Sequence, residues 1–478
     1  MLEISEKDIL QSLERDNPWW GTRQPTAFSD FTKRRAYFEP FKQLALNRKI
    51  QRAVILMGPR RVGKTVMLQQ LIGDAIDTDC APDAILFASL DTPLYSGMPL
   101  ERLLELFQKQ TNHDPNSTRL VVFDEIQYFR DWEIHLKVLT DRYPNTRFIA
   151  SRSAAAALRV KSQESGAGRF TDFMLPPLTF AEFLDFCDLE KVLIQPEPHG
   201  NTLRYKTPDI ERLNKEFVNY LNFGGYPEAV LNPEIRSDVR RYLGRDIVDK
   251  VLLGDLPSLY GIRDIQELKR LFTAIAYQSG QEISLDGLAE SSGVAKNTIS
   301  RYLEYLEAAF LVIRVRRVDD TGKRFQRMTR FKMYLSNPSM RAALFTPLEE
   351  TDDAMGAMAE TAVFSQWFHS DELSTIHYAR WKSGRQDREV DLVRIGPATR
   401  GPIWAYGIKW SDRCVERPEE LRGLVDFAKK NGIEKVPVGA TTRTRTAETI
   451  FEGVQIKHFP CALHCYQIGR NVIEGRPA

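Results

Sequence analysis

The stretch "AVILMGPRRVGKTVMLQQLI", residues 53–72, constrains this chain more than any other. A short apolar run ends at Gly58, then Gly58-x-x-x-x-Gly63-Lys64-Thr65 leads into a helical apolar pattern. Strand, glycine-rich turn and helix in that order are the context a phosphate-binding loop requires. The two glycines let backbone amides turn toward an anion, and the helix N-terminus adds its dipole. Lys64 offers a point charge to β- and γ-phosphates, and the Thr65 hydroxyl is a candidate Mg²⁺ ligand. The expected binding loop is Gly58, Pro59, Arg60, Arg61, Val62, Gly63, Lys64, Thr65 and Val66, with ATP and Mg²⁺ as the ligands it implies.

Sixty residues on, "RLVVFDEIQYF", residues 119–129, delivers Asp124 and Glu125 at the end of an apolar strand, where α/β sheets place their ligands. Asp124 is expected to hold Mg²⁺ through water and Glu125 to polarise the attacking water, so the catalytic set is Lys64, Asp124 and Glu125. A neighbouring strand, "TRFIAS" at 146–151, offers Ser151 and Ser153 as γ-phosphate sensors, with Arg152 an unusual charge between them. The alanine run 154–157 reads as helix. In "GAGRF", residues 166–170, Arg169 is either a phosphate-contacting arginine or a surface one.

A chain of 478 residues predicts two to four domains. With 66 basic and 64 acidic side chains the formal charge is only +2, so nucleic-acid binding would have to come from local patches. Five cysteines, few and odd in number, suit a reducing compartment without a disulfide framework. The start, "MLEISEKDIL", lacks the apolar core of a signal peptide, and no apolar run approaches a membrane span. A cytoplasmic protein with no membrane partner is expected.

From about 181 to 262 the pattern is helical, interrupted by a proline-rich loop at 194–209, and "FGGYP" at 223–227 reads as a turn. In "ISLDGLAESSGVAKNTISRYLEYLEAAFLVIRVRRV", residues 283–318, Gly293 sits where a helix-turn-helix needs its tight turn. Lys296 and Arg301 on the second helix are candidate nucleic-acid contacts. A strand, a "DDTG" hairpin and a second strand follow, with eight basic residues between 314 and 332. This basic wing, with Arg324 and Arg327, suits phosphate contacts to duplex DNA, while a protein partner and a homo-oligomer stay open.

"GPRRVGKT", "LVVFDEIQ", "GAGRFTDFMLPPLTFAEFL", "YLNFGGYPEAV" and "RYLEYLEAAFLV" occur in that order. The set resembles a prokaryotic family of AAA-like P-loop ATPases with a C-terminal domain of unknown function. The resemblance spans about residue 40 to 470 and implies a winged helix followed by a restriction-endonuclease-like fold. It departs where the family shows Thr-Gly-Ser after the sensor strand and this chain has Ala150-Ser151-Arg152-Ser153. In the nuclease-like part, Glu360, Asp391 and Lys409 match an early helical glutamate, a strand aspartate and the lysine of Glu-x-Lys. The glutamate of that pair falls on Gly407, on the same strand face as Lys409. Glu389, on the same strand face as Asp391, or Glu416, Glu419 or Glu420 soon after, could lend a carboxylate in its place. The missing group favours a binding-only domain over an active nuclease. "CALHC" at 461–465 reads as buried strand cysteines and not as a zinc motif.

The expected fold class is α/β, with a P-loop NTPase core on a parallel sheet, a helical and winged-helix segment, and an α/β restriction-endonuclease-like domain. The expected divisions are an extension at 1–45, the ATPase domain at 46–180, a helical connector at 181–262, a winged helix at 263–345 and the nuclease-like domain at 346–478. The expected function is Mg²⁺-dependent ATP hydrolysis controlling C-terminal nucleic-acid-binding modules. Two alternatives are an ATP-gated DNA nuclease, as in defence against foreign DNA, and an ATP-dependent protein scaffold without DNA.

Overall fold

Apolar runs bounded by turn residues become the strands of the amino-terminal part. The computed structural model describes residues 5–22, 32–78, 80–95, 97–112, 117–153, 168–199, 202–323, 325, 330–368, 370–398, 401–433 and 438–476. The chain divides into two compact units, Met1–Leu175 and Pro176–Ala478. In the first, β1 (Ala53–Gly58), β2 (Ile85–Ser89), β3 (Arg119–Asp124), β4 (Thr146–Ser153) and β5 (Phe170–Met174) form one parallel sheet in the order β2-β3-β4-β1-β5. β1 and β3 are buried almost throughout, which is why they read as continuous apolar runs and not as alternating ones.

The edge of that sheet is covered from the amino terminus. After the helix Glu6–Asp16, the Asn17 side chain accepts from the Phe87 amide at 2.6 Å and donates to the Phe87 carbonyl at 2.8 Å. The Trp19 and Trp20 indoles both donate to the Ile85 carbonyl. Polar groups of edge strand β2 are thereby paired. The stretch expected as a separate extension, 1–45, therefore belongs to the first unit in its described residues.

The second unit carries a mixed sheet of nine strands among the described residues, in the order β15-β16-β14-β13-β12-β11-β9-β10-β8. These are β8 (Glu282–Ser284), β9 (Val312–Val318), β10 (Arg330–Leu335), β11 (Ile376–Ser383), β12 (Gln386–Ile395), β13 (Pro402–Gly407), β14 (Val438–Thr442), β15 (Ala447–Phe451) and β16 (Val454–Pro460). A boundary at 345/346 does not separate two sheets. β9 outlasts its hairpin ladder with β10, which ends at Arg316↔Phe331. Its next residues pair in parallel with β11, Arg317↔Tyr378 and Val318↔Ala379.

Three local expectations also change. The proline-rich loop contains a two-stranded ribbon, β6 (Gln195–His199) with β7 (Thr202–Lys206), where Pro196 and Pro198 sit on a strand with a single neighbour. "CALHC" opens the helix Cys461–Ile473 instead of lying in a strand, with Cys461 and Cys465 buried one turn apart. The second glycine of "FGGYP" serves close packing. A Cβ on Gly225 would lie 2.2 Å from the Asn337 side-chain oxygen, and the Gly225 amide donates to Ser339 Oγ at 3.1 Å.

Gly225→Ala should destabilise the protein by about 1–3 kcal/mol through overpacking. Gly356→Ala, in a helix with open space around the new methyl, should be neutral or slightly stabilising. Urea unfolding midpoints of the two variants check both.

Candidate functional site

The phosphate loop joins β1 to the helix Lys64–Thr78. Its backbone bends through left-handed conformations at Arg61, φ 63°, and Gly63, φ 94°. Gly58 is held to glycine by crowding, since a Cβ there would meet the Leu175 carbonyl oxygen at 2.2 Å. Arg35 steadies the loop from outside by donating to the Val62 carbonyl at 2.7 Å. Lys64 is buried and folds back to donate to the carbonyls of Pro59 at 3.0 Å and Gly58 at 3.3 Å.

Asp124 lies at the carboxyl end of β3, next to the loop. One of its oxygens accepts from the Thr65 hydroxyl at 2.7 Å, and the other accepts from the Ser151 hydroxyl. Ser151 Oγ also accepts from the Glu125 amide at 2.9 Å. Burial, with Glu125 adding to it, pushes the Asp124 carboxyl above its ordinary value, while Ser151, Thr65 and Lys64 pull it back. Ser151, expected as a phosphate sensor, is thus turned onto Asp124. Ser153 pairs in register with Gly58, and its buried hydroxyl has no hydrogen-bond partner among the described residues.

Glu125 takes a left-handed backbone, φ 53°, and its carboxylate accepts from the Gln127 side-chain amide. The other end of that amide accepts from the Ser153 backbone at 3.1 Å. Gln127 was not singled out from the sequence; its position two residues after Glu125 was the only signal. Arg152 alternates to the opposite face, buried beside Met57 and within 3.7 Å of Asp172. Arg60 donates to the Tyr128 hydroxyl at 2.8 Å. Arg169 does not join the loop. It precedes β5, where its carbonyl accepts from Ala53 at the start of β1, while the loop follows the end of β1. Its guanidinium pairs with Asp141 at 2.6 Å. The run 154–157 lies outside the described residues.

In the second unit the helix Leu285–Ser292 ends on Gly293, φ 70°, and the helix Lys296–Ala308 follows, burying Ile299, Leu303 and Leu306. Lys296 and Arg301 lie exposed on the latter, with Lys296 paired to Asp286 at 2.7 Å. The basic stretch behind it is largely engaged. Arg314 pairs with Glu307 at 2.5 Å, Arg317 and Arg330 both reach Glu282, and Lys332 is buried. The "DDTG" turn is docked, not free. A Cβ on Gly322 would meet Pro402 at 2.4 Å, and Asp320 is bound by Lys430 and Asn431. Arg324 and Arg327 lie outside the described residues.

Glu360, on the helix Met355–Gln366, Asp391, on β12, and Lys409, just after β13, do converge. Lys409 Nζ lies 2.9 Å from Asp391, and the Ile408 amide donates to the same carboxylate at 2.7 Å. Glu389 joins them, as does Lys332 of β10, which the sequence reading placed in the wing. Gly407 leaves ordinary room for a Cβ, 3.9 Å from Asp391. An open cleft of about 390 Å³ beside the cluster is lined by Asp387, Glu389, Asp391, Lys409, Glu420 and Arg422, among others.

Family models match two stretches: an AAA domain over residues 50–184 and a domain of unknown function over residues 214–352. Residues 50–184 are an AAA domain. Relatives include an uncharacterized protein of Haemophilus influenzae, 25% identical over 60% of this chain and 68% of its own. Another, from Methanocaldococcus jannaschii, is 22% identical over 78% of this chain and 80% of its own. A third, from Mycobacterium tuberculosis, is 28% identical over 73% and 69%. Among solved structures, a replication initiator DnaA bound to AMPPCP and single-stranded DNA aligns at 12% identity and TM-score 0.29, over 59% of this chain and 91% of that one. A DNA replication initiation factor aligns at 12% and 0.27, over 86% and 97%. Similarity at that level does not inform function.

The resemblance read from the motifs, an AAA-like ATPase followed by a domain of unknown function, is borne out by these matches. The chain has an AAA-type P-loop NTPase fold, α/β overall. Among the described residues no helix is long and apolar enough to cross a membrane. In the AAA domain the Thr65 hydroxyl and Asp124 carboxylate, 2.7 Å apart, are the hard oxygen donors Mg²⁺ prefers, so these residues fit the ion.

Ser151→Ala removes a hydrogen bond to a charged group, worth about 1.5–3 kcal/mol. It should weaken the Mg²⁺-dependent part of ATP affinity by about ten- to a hundredfold. ATP affinity in EDTA should stay within a fewfold of the parent; isothermal titration under both conditions checks it.

Proposed function

We propose that this chain is a Mg²⁺-dependent ATPase whose nucleotide state controls a C-terminal unit that engages nucleic acid. The observation that carries the first half is the convergence of Lys64, Thr65, Asp124, Glu125 and Ser151 at the carboxyl ends of β1, β3 and β4. In this reading the ammonium of Lys64 leaves the loop carbonyls for the β- and γ-phosphates. The amides of the loop up to Val66 surround the phosphate chain, and the helix N-terminus favours its charge. Thr65 would hold the metal directly and Asp124 through water. Mg²⁺, when bound, offsets charge on the phosphate oxygens. Glu125, positioned by the Gln127 amide, orients and polarises the attacking water in line with the γ-phosphate. The Ser153 hydroxyl, which has no partner among the described residues and lies beside Gly58, takes the γ-phosphate contact first assigned to either serine.

For the second half, support comes from the helix Lys296–Ala308, read as the recognition helix of a winged helix, with Lys296 and Arg301 as its nucleic-acid contacts. The engagement of Arg314, Arg317, Arg330 and Lys332 by acidic partners favours a second reading, in which this module holds a protein instead of DNA.

Steady-state ATP hydrolysis with and without duplex DNA tests both. Glu125→Gln is expected to lower kcat by about 10²–10⁴ with little change in ATP affinity, and Lys64→Ala to remove both. Stimulation by DNA that falls in Arg301→Ala supports the first reading. Hydrolysis indifferent to DNA supports the protein partner, and absence of hydrolysis with ATP bound overturns the enzyme.

A further inference from the structure

Lys332 is one of the least exposed charged side chains in the second unit, at 2%. It projects from β10 into the group of carboxylates that the resemblance assigns to a metal-dependent nuclease. Its Nζ lies 2.7 Å from Glu360, 2.7 Å from Glu389 and 3.8 Å from Asp391. The neighbouring Tyr334 hydroxyl, on the same face of β10, donates to Glu360 at 2.6 Å. Three carboxylates from two different elements therefore converge on one ammonium.

These residues do not fit a divalent metal. The space between Glu360, Glu389 and Asp391, where an ion would sit, is filled by the ammonium. Positive charge also crowds the group. Lys409 lies 2.9 Å from Asp391, and Arg380 is shared between Asp387 at 3.3 Å and Glu389 at 3.7 Å. The two ammonium groups already offset much of the negative charge that a dication would need. Burial opposes the charge of Lys332, yet Glu360, Asp391 and Glu389 hold its pKa well above the ordinary lysine value. Burial likewise opposes the charge of Asp391, yet Lys409 and Lys332 keep its carboxyl below the ordinary value. The carboxylate that would complete the metal set is absent as well, because Gly407 stands in its place.

We infer that Lys332 is a built-in cation that stands where the nuclease-like fold would hold its metal, so that the C-terminal unit needs and takes no divalent ion at this cluster. The ammonium ties β10 to the helix Met355–Gln366 and to β12, a structural task that a metal would otherwise perform. The inference is independent of the nucleotide reading, since it concerns a different unit and a different ion.

The test is Mn²⁺ titration of the full-length, nucleotide-free chain, followed by electron paramagnetic resonance of free Mn²⁺ and by thermal melting. The parent is expected to bind no Mn²⁺ in a manner that depends on Asp391, so Asp391→Asn should leave its titration unchanged. Lys332→Met should melt lower than the parent, take up one further Mn²⁺ and regain melting temperature as it does so. Lys332→Met with Asp391→Asn should lose that uptake. A parent that binds one Mn²⁺ lost in Asp391→Asn overturns the inference, and so does a folded Lys332→Met that binds none. If Lys332→Met does not fold with or without Mn²⁺, the parent titration alone decides.

Discussion

The carboxylate of Asp124 is the point on which the nucleotide site depends. It is buried, and an isolated buried carboxylate costs several kcal/mol. The cost is offset by two hydroxyls that arrive from different elements, Thr65 on the helix after β1 and Ser151 on β4, and by the nearby charge of Lys64. Each hydroxyl can reach only if the parallel register holds, with Leu56 opposite Ser151 and Ala150 opposite Phe123. A one-residue slip would turn every side chain of β4 to the other face. The sheet core and the site chemistry are therefore one constraint, and Ser151 belongs to both.

What could be read from the chain alone follows the same division. Lys64, Thr65, Asp124 and Glu125 were legible because each lies within a local pattern, a turn or a strand end, whose chemistry is set by adjacent residues. The destination of the Ser151 hydroxyl was not legible, because it depends on a pairing between strands 27 residues apart. Arg169 illustrates the opposite error. It precedes its strand, so in a parallel sheet it had to lie at the end away from the loop, and that polarity could have been read. Charge counting along 314–332 failed for a plain reason. Only Asp319 and Asp320 are acidic in that stretch, yet Glu282, Glu307 and Glu360 come from other elements to meet those cations.

The same nonlocality explains why the single sheet of the C-terminal part was not legible in the sequence. Hairpin periodicity identifies β9 and β10 but says nothing about which strand lies beyond β9. Its last two residues pair with β11, so the β9–β10 hairpin and the carboxylate-bearing strands share one sheet. The turn after β9 is then committed to Pro402, Lys430 and Asn431, elements more than 75 residues downstream. The described part of that turn is therefore held against the sheet's other strands.

This continuity has a mechanical consequence within the second unit. The helix Lys296–Ala308 is tied to β9 through Glu307 and Arg314, and β9 is hydrogen-bonded to β10. β10 in turn carries Lys332, whose ammonium binds Glu360 and Glu389. A partner that tilts the exposed face of that helix must therefore strain a chain of part-buried contacts ending in the carboxylate cluster. Breaking one member of a buried charge pair typically costs about 3–5 kcal/mol. That cost is comparable to a binding free energy worth two or three orders of magnitude in affinity. The cluster accordingly acts as a stiff anchor for β10 and, through β9, for the carboxyl end of the helix Lys296–Ala308.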